Sequence, residues 1–315
     1  MTAKVDAPTD AVAGGPWLPY VAVTVTMLLF ASSIVLGRAI RADIPPLGLV
    51  FWRNVAAFLV LLPFLWRDLR GEQGALLKKE WRLVLILGFA NSVTGQAILL
   101  FGLHTTTAIN AGLIHAIGPA VTIALVWVLF RDRITLRQSA GLAAAFIGVA
   151  ALVVRGDVDV LASVRFVAGD FWVLVATASY AAYGAFLKRV PAALNPFVLF
   201  LGATVTGFVM IAPFYAAETL LTETRVRIDL VTIATVLYYA VFPSILALSF
   251  LIFAIKRLGP NRASAFYYLV PVMTAVMAIV LLGEALEPYH VFGTVLVLGG
   301  VYLASAAAGV RSGPP

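Results

Sequence analysis

Hydrophobic positions in this chain gather into long runs, near residues 17–37, 46–66, 82–103, 108–130, 136–154, 169–187, 194–214, 231–254, 262–282 and 288–308. Each run approaches the roughly 20 apolar residues that a helix needs to cross a bilayer core of about 30 Å. Short polar stretches divide the runs and leave no room for a separate soluble domain. The pattern repeats after five segments. Shifted forward by 150, residues 17–66 bring Pro46 onto Pro196, Pro63 onto Pro213 and Arg38 onto Lys188. Shifted by 152, residues 88–154 bring Ser92 onto Ser244, Phe101 onto Phe253, Ala111 onto Ala263, Pro119 onto Pro271, Thr122 onto Thr274, Gly141 onto Gly293 and Gly148 onto Gly300. Only two residues of slippage separate the offsets, which points to duplication. Five is odd, so the second copy threads the membrane upside down relative to the first. Inverted repeats of this kind mark secondary transporters, with substrate between the halves near the midplane. The expected fold class is an all-α membrane protein: ten transmembrane helices in two inverted five-helix repeats around a central cavity.

Composition agrees. With 62% hydrophobic and 12% charged residues, the chain departs from soluble domains, where charge runs nearer a quarter. There are no cysteines, which removes disulfides, thiolate metal sites and cysteine catalysis. The first sixteen residues set Lys4 against Asp6 and Asp10 and lack the positive start of a secretory signal, so the first span is expected to stay attached. The net charge of +7 orients the protein rather than recruiting nucleic acid. With the N-terminus in the cytoplasm, fifteen Lys and Arg fall in cytoplasmic segments and six on the opposite side, with Arg53 alone inside a span. That excess obeys the positive-inside rule and places both termini in the cytoplasm.

The end of each half carries a family resemblance. Residues 119–148 read Pro-Ala-Val-Thr, then Arg-Asp-Arg-Ile-Thr, then two spaced glycines; residues 271–300 read Pro-Val-Met-Thr, then Leu-Gly-Glu-Ala-Leu-Glu, then two spaced glycines. Both resemble the EamA repeat of the drug/metabolite transporter superfamily. The opening of the second repeat, Gly169-Asp170 followed by Ser179-Tyr180-Ala181-Ala182-Tyr183 and Lys188, is similar to that family's first segment, with Phe30-Ala31-Ser32-Ser33 and Arg38 as a looser counterpart. Arg131-Asp132-Arg133 replaces the usual Gly-Glu turn, and the common tryptophan is Phe30 in one half and Tyr180 in the other. The resemblance covers roughly residues 17–309. It implies cytoplasmic tails at 1–16 and 310–315, repeats at 17–155 and 169–309, and an extracytoplasmic linker at 156–168. It also implies a multi-pass protein of the bacterial inner membrane that carries small metabolites. Exporters of amino acids, including aromatic ones, are the best-known bacterial members.

Alternating access needs helices that bend. Pro119 and Pro271 sit at matched mid-span positions and are the candidate hinges; Pro63 and Pro213 form a second matched pair, and Pro243 stands alone. A proline inside a helix deletes a backbone hydrogen bond and kinks the chain. Polar residues within spans are costly unless they face protein or water. Arg53 lies seven residues into the second span, where it either snorkels to the surface or binds a substrate carboxylate. Asn91 and Gln96 in the third span and His115 in the fourth are either interhelical hydrogen-bond partners or cavity residues. His115 aligns with Tyr267, each four residues before its proline. Tyr183, Tyr239 and Tyr267 complete the candidate substrate-binding set, since rings with a polar tip line cavities for amphipathic metabolites. No Asp or Glu is placed inside a span, and Glu284 and Asp132 read as turn and helix-end residues rather than proton carriers. Trp17, Trp66, Trp81 and Trp172 fall at span ends as interfacial anchors. Gly141 with Gly148, and Gly293 with Gly300, make smooth stripes for close packing, within a monomer or in a homodimer.

The leading reading is a carrier of amino acids or related small metabolites, embedded in membrane lipid and needing no cofactor or metal. No phosphate-binding Gly-x-x-x-x-Gly-Lys-Ser/Thr loop occurs, so ATP drive is not encoded. Alternatives are a uniporter-like or drug- or nucleoside-type carrier, and a membrane enzyme acting on lipids. The enzyme reading wants clustered acids or histidines, but His104, His115 and His290 are scattered.

Overall fold

A computed structural model describes residues 17–130, 135–154, 167–221, 226–259, 263 and 266–306. Regular structure among the described residues is helical. It comprises α1 (Leu18–Ala39), α2 (Pro46–Arg70), α3 (Glu72–Lys79), α4 (Trp81–Gly102), α5 (Ala108–His115), α6 (Gly118–Phe130), α7 (Leu136–Val154), α8 (Ala168–Leu187), α9 (Pro196–Leu221), α10 (Leu230–Leu258), α11 (Leu269–Leu282) after a 3₁₀ turn at Phe266–Tyr268, and α12 (Pro288–Ala306). Seven stretches among the described residues are long and apolar enough to cross a membrane: α1, α2, α4, Ala108–Leu125, α8, α9 and α10. Leu136–Leu152 and Phe266–Leu282 are apolar but shorter.

Local chemistry sets the helix starts. Pro46 and Pro196 open α2 and α9, where a missing N–H costs nothing. At α7, Thr135 and Gln138 form a reciprocal cap: the Gln138 N–H donates to Thr135 Oγ1 at 3.2 Å and the Thr135 N–H to Gln138 Oε1 at 2.8 Å. Asp229 caps α10, accepting from the Thr232 N–H at 2.7 Å, and that bond holds its carboxyl below the usual range. Gly283 ends α11 at φ 66°, a left-handed geometry that glycine adopts without strain. The amphipathic α3 was not anticipated. Its Gln73 bridges the halves, donating to Ala193 O at 3.0 Å and accepting from the Asn195 N–H at 2.7 Å.

The duplication is visible in the fold. α7 and α12 begin at 136 and 288 and end at 154 and 306, both separated by 152. α4 and α10 each widen into a π-helix, at Phe89–Ala97 and Val241–Leu246, whose first residues are again 152 apart. The halves interlock. α1 packs on α10 and α11, while its counterpart α8 packs on α4 and α6. Two equivalent pairs, α2 with α9 and α7 with α12, meet directly.

Glycines make the α7–α12 seam. A Cβ at Gly300 would lie 2.6 Å from Gly141 O and 2.5 Å from Ala145 N, and one at Gly148 would lie 2.9 Å from Gly293 O. As numbers rise along α7 they fall along α12, so these equivalent helices run antiparallel. The stripes face one another within the chain along this seam. Gly300→Ala is therefore expected to lower stability by about 1–3 kcal/mol, because backbone must shift. Gly299→Ala, whose new Cβ meets nothing within 4 Å, should stabilise by up to about 1 kcal/mol through helix propensity. Thermal unfolding of both variants in detergent checks the contrast in sign.

Candidate functional site

Three prolines shape the interior, each by lacking the N–H that would pair with the carbonyl four residues earlier. For Pro119 that residue is His115, where α5 ends; the chain turns at Ala116–Ile117 and α6 restarts at Gly118. For Pro271 it is Tyr267, inside the 3₁₀ turn before α11. For Pro243 it is Tyr239, at the wide turn of α10. The expected kink within a continuous helix is thus a helix break at Pro119, with the proline seated in the following first turn. By contrast, α2 and α9 run straight through Pro63 and Pro213, whose corresponding residues, Leu59 and Val209, point outward at 60% and 57% exposure.

The carbonyl freed by Pro243 is used. Ser244 Oγ donates to Tyr239 O at 2.7 Å, so its proton is committed and its lone pairs face Arg53. Arg53 Nη2 donates to that oxygen at 2.8 Å, and the guanidinium stands 5.8 Å from the centre of the Tyr239 ring. Tyr239 in turn donates to Ser33 O at 2.5 Å. Arg53 therefore turns into the bundle instead of snorkelling. Its Nε is enclosed without a hydrogen-bond partner. Among the described residues no carboxylate is found within ion-pair distance of it; Glu284 lies beside Arg38 instead. An enclosed cation without an acid can receive an anionic group.

Arg53 also lies near Tyr180, which meets the His115 ring edge-on at 5.2 Å. His115 Nδ1 lies 3.1 Å from Thr177 Oγ1. Thr177 donates to Val173 O at 2.8 Å, so the network assigns the imidazole proton to Nδ1 and leaves Nε2 as an acceptor. Tyr180 also packs against the backbone of Gly95 in the π-helix of α4. In the same segment, Gln96 Nε2 reaches Asn91 Oδ1 at 3.5 Å, while Gln96 Oε1 is enclosed without a partner. Tyr267 stacks on Phe30 at 6.1 Å and lies near Tyr183.

Arg53, His115, Tyr180 and Tyr183 are half-buried, and Tyr267 keeps 37% of its surface accessible. The fold joins Arg53, Tyr239 and His115 through Tyr180, Ser244 and Thr177, while Gln96 and Asn91 form one flank and Tyr183 and Tyr267 another. Ser244, Thr177 and Ser33 were missed by sequence reasoning; the Ser92–Ser244 match was the available signal. Ser92 accepts from Asn54 Nδ2 at 3.2 Å, so equivalent serines of the two halves hold adjacent residues of α2. Asp170 corrects the expectation of spans free of acid: it sits in the first turn of α8 at 0% exposure. Asp132 lies outside the described residues.

Residues 17–154 and 167–306 each match the EamA-like transporter family. The chain belongs to that family. An "Uncharacterized transporter YyaM" of Bacillus subtilis is 25% identical over 260 residues, covering 81% of this chain and 82% of that protein. A "Probable amino-acid metabolite efflux pump" of Salmonella typhimurium is 29% identical over 236 residues, 70% of this chain and 76% of that one. A "Probable terminal-alkyne amino-acid exporter" of Streptantibioticus cattleyicolor is 27% identical over 225 residues, 71% and 73% of the two chains. A solved structure superposes with a TM-score of 0.57 at 18% identity, covering 92% of this chain and 98% of that chain, which shows a common fold. EamA membership makes this a multi-pass membrane protein whose relatives are transporters.

Proposed function

We propose that the protein is a secondary carrier that exports amino acids or related small metabolites across the bacterial inner membrane by alternating access. Ten helices in two inverted repeats, 17–155 and 169–309, cross the membrane with both termini in the cytoplasm, and Pro119 and Pro271 mark the hinges. The observation that carries the substrate class is the pair of enclosed atoms without partners, Arg53 Nε as donor and Gln96 Oε1 as acceptor. An α-amino acid presents the complement, a carboxylate for the guanidinium and an ammonium for the amide oxygen. Tyr180, Tyr239 and Tyr267 add aromatic faces for the ammonium and the side chain. The Salmonella and Streptantibioticus relatives, whose names refer to amino acids, support the same class.

Uptake into proteoliposomes from a panel of labelled amino acids, with and without a pH gradient, tests this. Saturable uptake with acceleration by unlabelled amino acid on the opposite side is the expected result. Movement of a nucleobase, sugar or cationic drug but no amino acid would overturn the substrate class. Flux without trans-stimulation would overturn the carrier mechanism.

A further inference from the structure

At the end of the bundle holding the α1–α2 and α4–α5 connections, the second half grips one corner of the first. That corner runs from Leu103 to Asn110. Arg38 Nη1 donates to the closing carbonyls of α4, Leu103 O at 2.7 Å and His104 O at 2.9 Å. Arg38 also lies 3.9 Å from Glu284, which belongs to the turn between α11 and α12. Glu284 spreads its two oxygens over the start of α5, accepting from the Ala108 N–H at 2.8 Å and the Ile109 N–H at 3.0 Å. Those N–H groups have no partner within their own helix, and Thr107 Oγ1 takes the next, from Asn110, at 3.1 Å.

A second set lies beside the first. Asp170 accepts from Thr106 Oγ1 and, at 3.2 and 3.4 Å, from Asn110 Nδ2. The Glu287 N–H donates to His290 Nδ1 at 2.8 Å, so Nε2 carries the proton and donates to Asn110 Oδ1 at 3.1 Å. The backbones also abut, since a Cβ at Gly169 would fall 2.4 Å from Gly102 O. Burial, then the charges of Arg41 and Arg38, hold the His104 imidazole below its ordinary range.

We propose that Glu284, Asp170 and His290 form a latch that closes this end of the carrier by holding the α4–α5 corner, and that its release opens the internal space to that side. The proposal rests on the carrier reading above, which makes this end extracytoplasmic. Every bond from these three side chains to the corner runs from the second half to the first, so a rocking of the halves breaks them together. The α7–α12 seam is different: its glycines meet backbone to backbone among apolar neighbours and have no water to exchange with. Latch bonds at the membrane surface exchange for bonds to water at small net cost, which suits a contact that opens and closes. The seam is the pivot and the polar corner is the moving contact.

The cysteine-free chain gives a reporter that needs no transported substrate. Tyr267→Cys, in the internal space, is reacted with a membrane-impermeant methanethiosulfonate added outside right-side-out vesicles. Glu284→Gln is expected to raise the outside reaction rate at least about tenfold, the population shift produced when a charge-assisted bond is lost from one of two states. Glu284→Asp, which keeps the charge, should stay nearer the parent rate. Thr106→Val, a milder loosening of the Asp170 set, should raise the rate in the same direction. Amide hydrogen exchange at 108–110 reports independently that the cap has loosened. Faster exchange with an unchanged reaction rate in both Glu284→Gln and Thr106→Val would reduce the network to a structural cap and overturn the latch. Absence of reaction from either face of the membrane in every variant would instead remove the internal space on which the carrier reading depends.

Discussion

Arg53→Gln is expected to weaken binding of the transported solute by about 10- to 100-fold, the loss of roughly 1.5–3 kcal/mol of charge-assisted hydrogen bonding. It should raise thermal stability in the empty protein, because it removes an enclosed cation that no carboxylate balances. These opposite signs separate binding from architecture. If Arg53 served mainly to tie α2 to α10 through Ser244, its loss would lower stability and leave affinity unchanged. Arg53→Lys should fall between the parent and Gln, since a lysine supplies charge without the planar fork. Ser244→Ala removes the hydroxyl that orients the guanidinium and returns Tyr239 O to an unpaired state, so it should weaken binding less than Arg53→Gln while also lowering stability. Equilibrium binding of the solute chosen by the amino-acid panel, read beside thermal unfolding, distinguishes these outcomes.

Replacing both Pro119 and Pro271 by Ala is expected to slow counterflow by about tenfold to a hundredfold while raising the unfolding temperature. An alanine at 119 supplies an N–H for His115 O, and the equivalent change at 271 does the same for Tyr267 O. Proline costs about 3 kcal/mol relative to alanine within a helix, so the substitutions favour fusing α5 with α6 and straightening the entry to α11. A carrier that depends on those breaks loses turnover as it gains rigidity, the usual conflict between stability and motion. Unchanged counterflow in the double variant would reduce both breaks to static features.

The repeat was legible because duplication preserved residues whose backbone chemistry is distinctive. Pro46 and Pro196 open equivalent helices, Ser92 and Ser244 sit in equivalent π-helices, and the glycine pairs of α7 and α12 proved to face one another. Arg53, His115, Tyr239 and Tyr267 stood out because charge and polar aromatics are costly within apolar runs. Their common cause was not legible. It needed the register of each proline on the carbonyl four residues earlier, together with the helix break at Ala116–Ile117 that hydropathy cannot locate. Asp170 escaped for a different reason. It lies at a span edge, and its partners Thr106 and Asn110 stand 64 and 60 residues away in sequence. Glu284 does sit at a helix end, as its turn position implied, but the end belongs to α5, 176 residues away from it at Ala108.

The most direct test of a polar space shared by two oppositely oriented halves is the sidedness of one cysteine. Tyr267→Cys in otherwise cysteine-free protein is exposed to impermeant thiol reagent, in separate experiments, on each face of sealed vesicles. Reaction from either face, slowed by the transported solute on both, is the outcome that alternating access requires. Reaction from neither face, or from one face alone under every condition including a bound or counter-flowing solute, would contradict it.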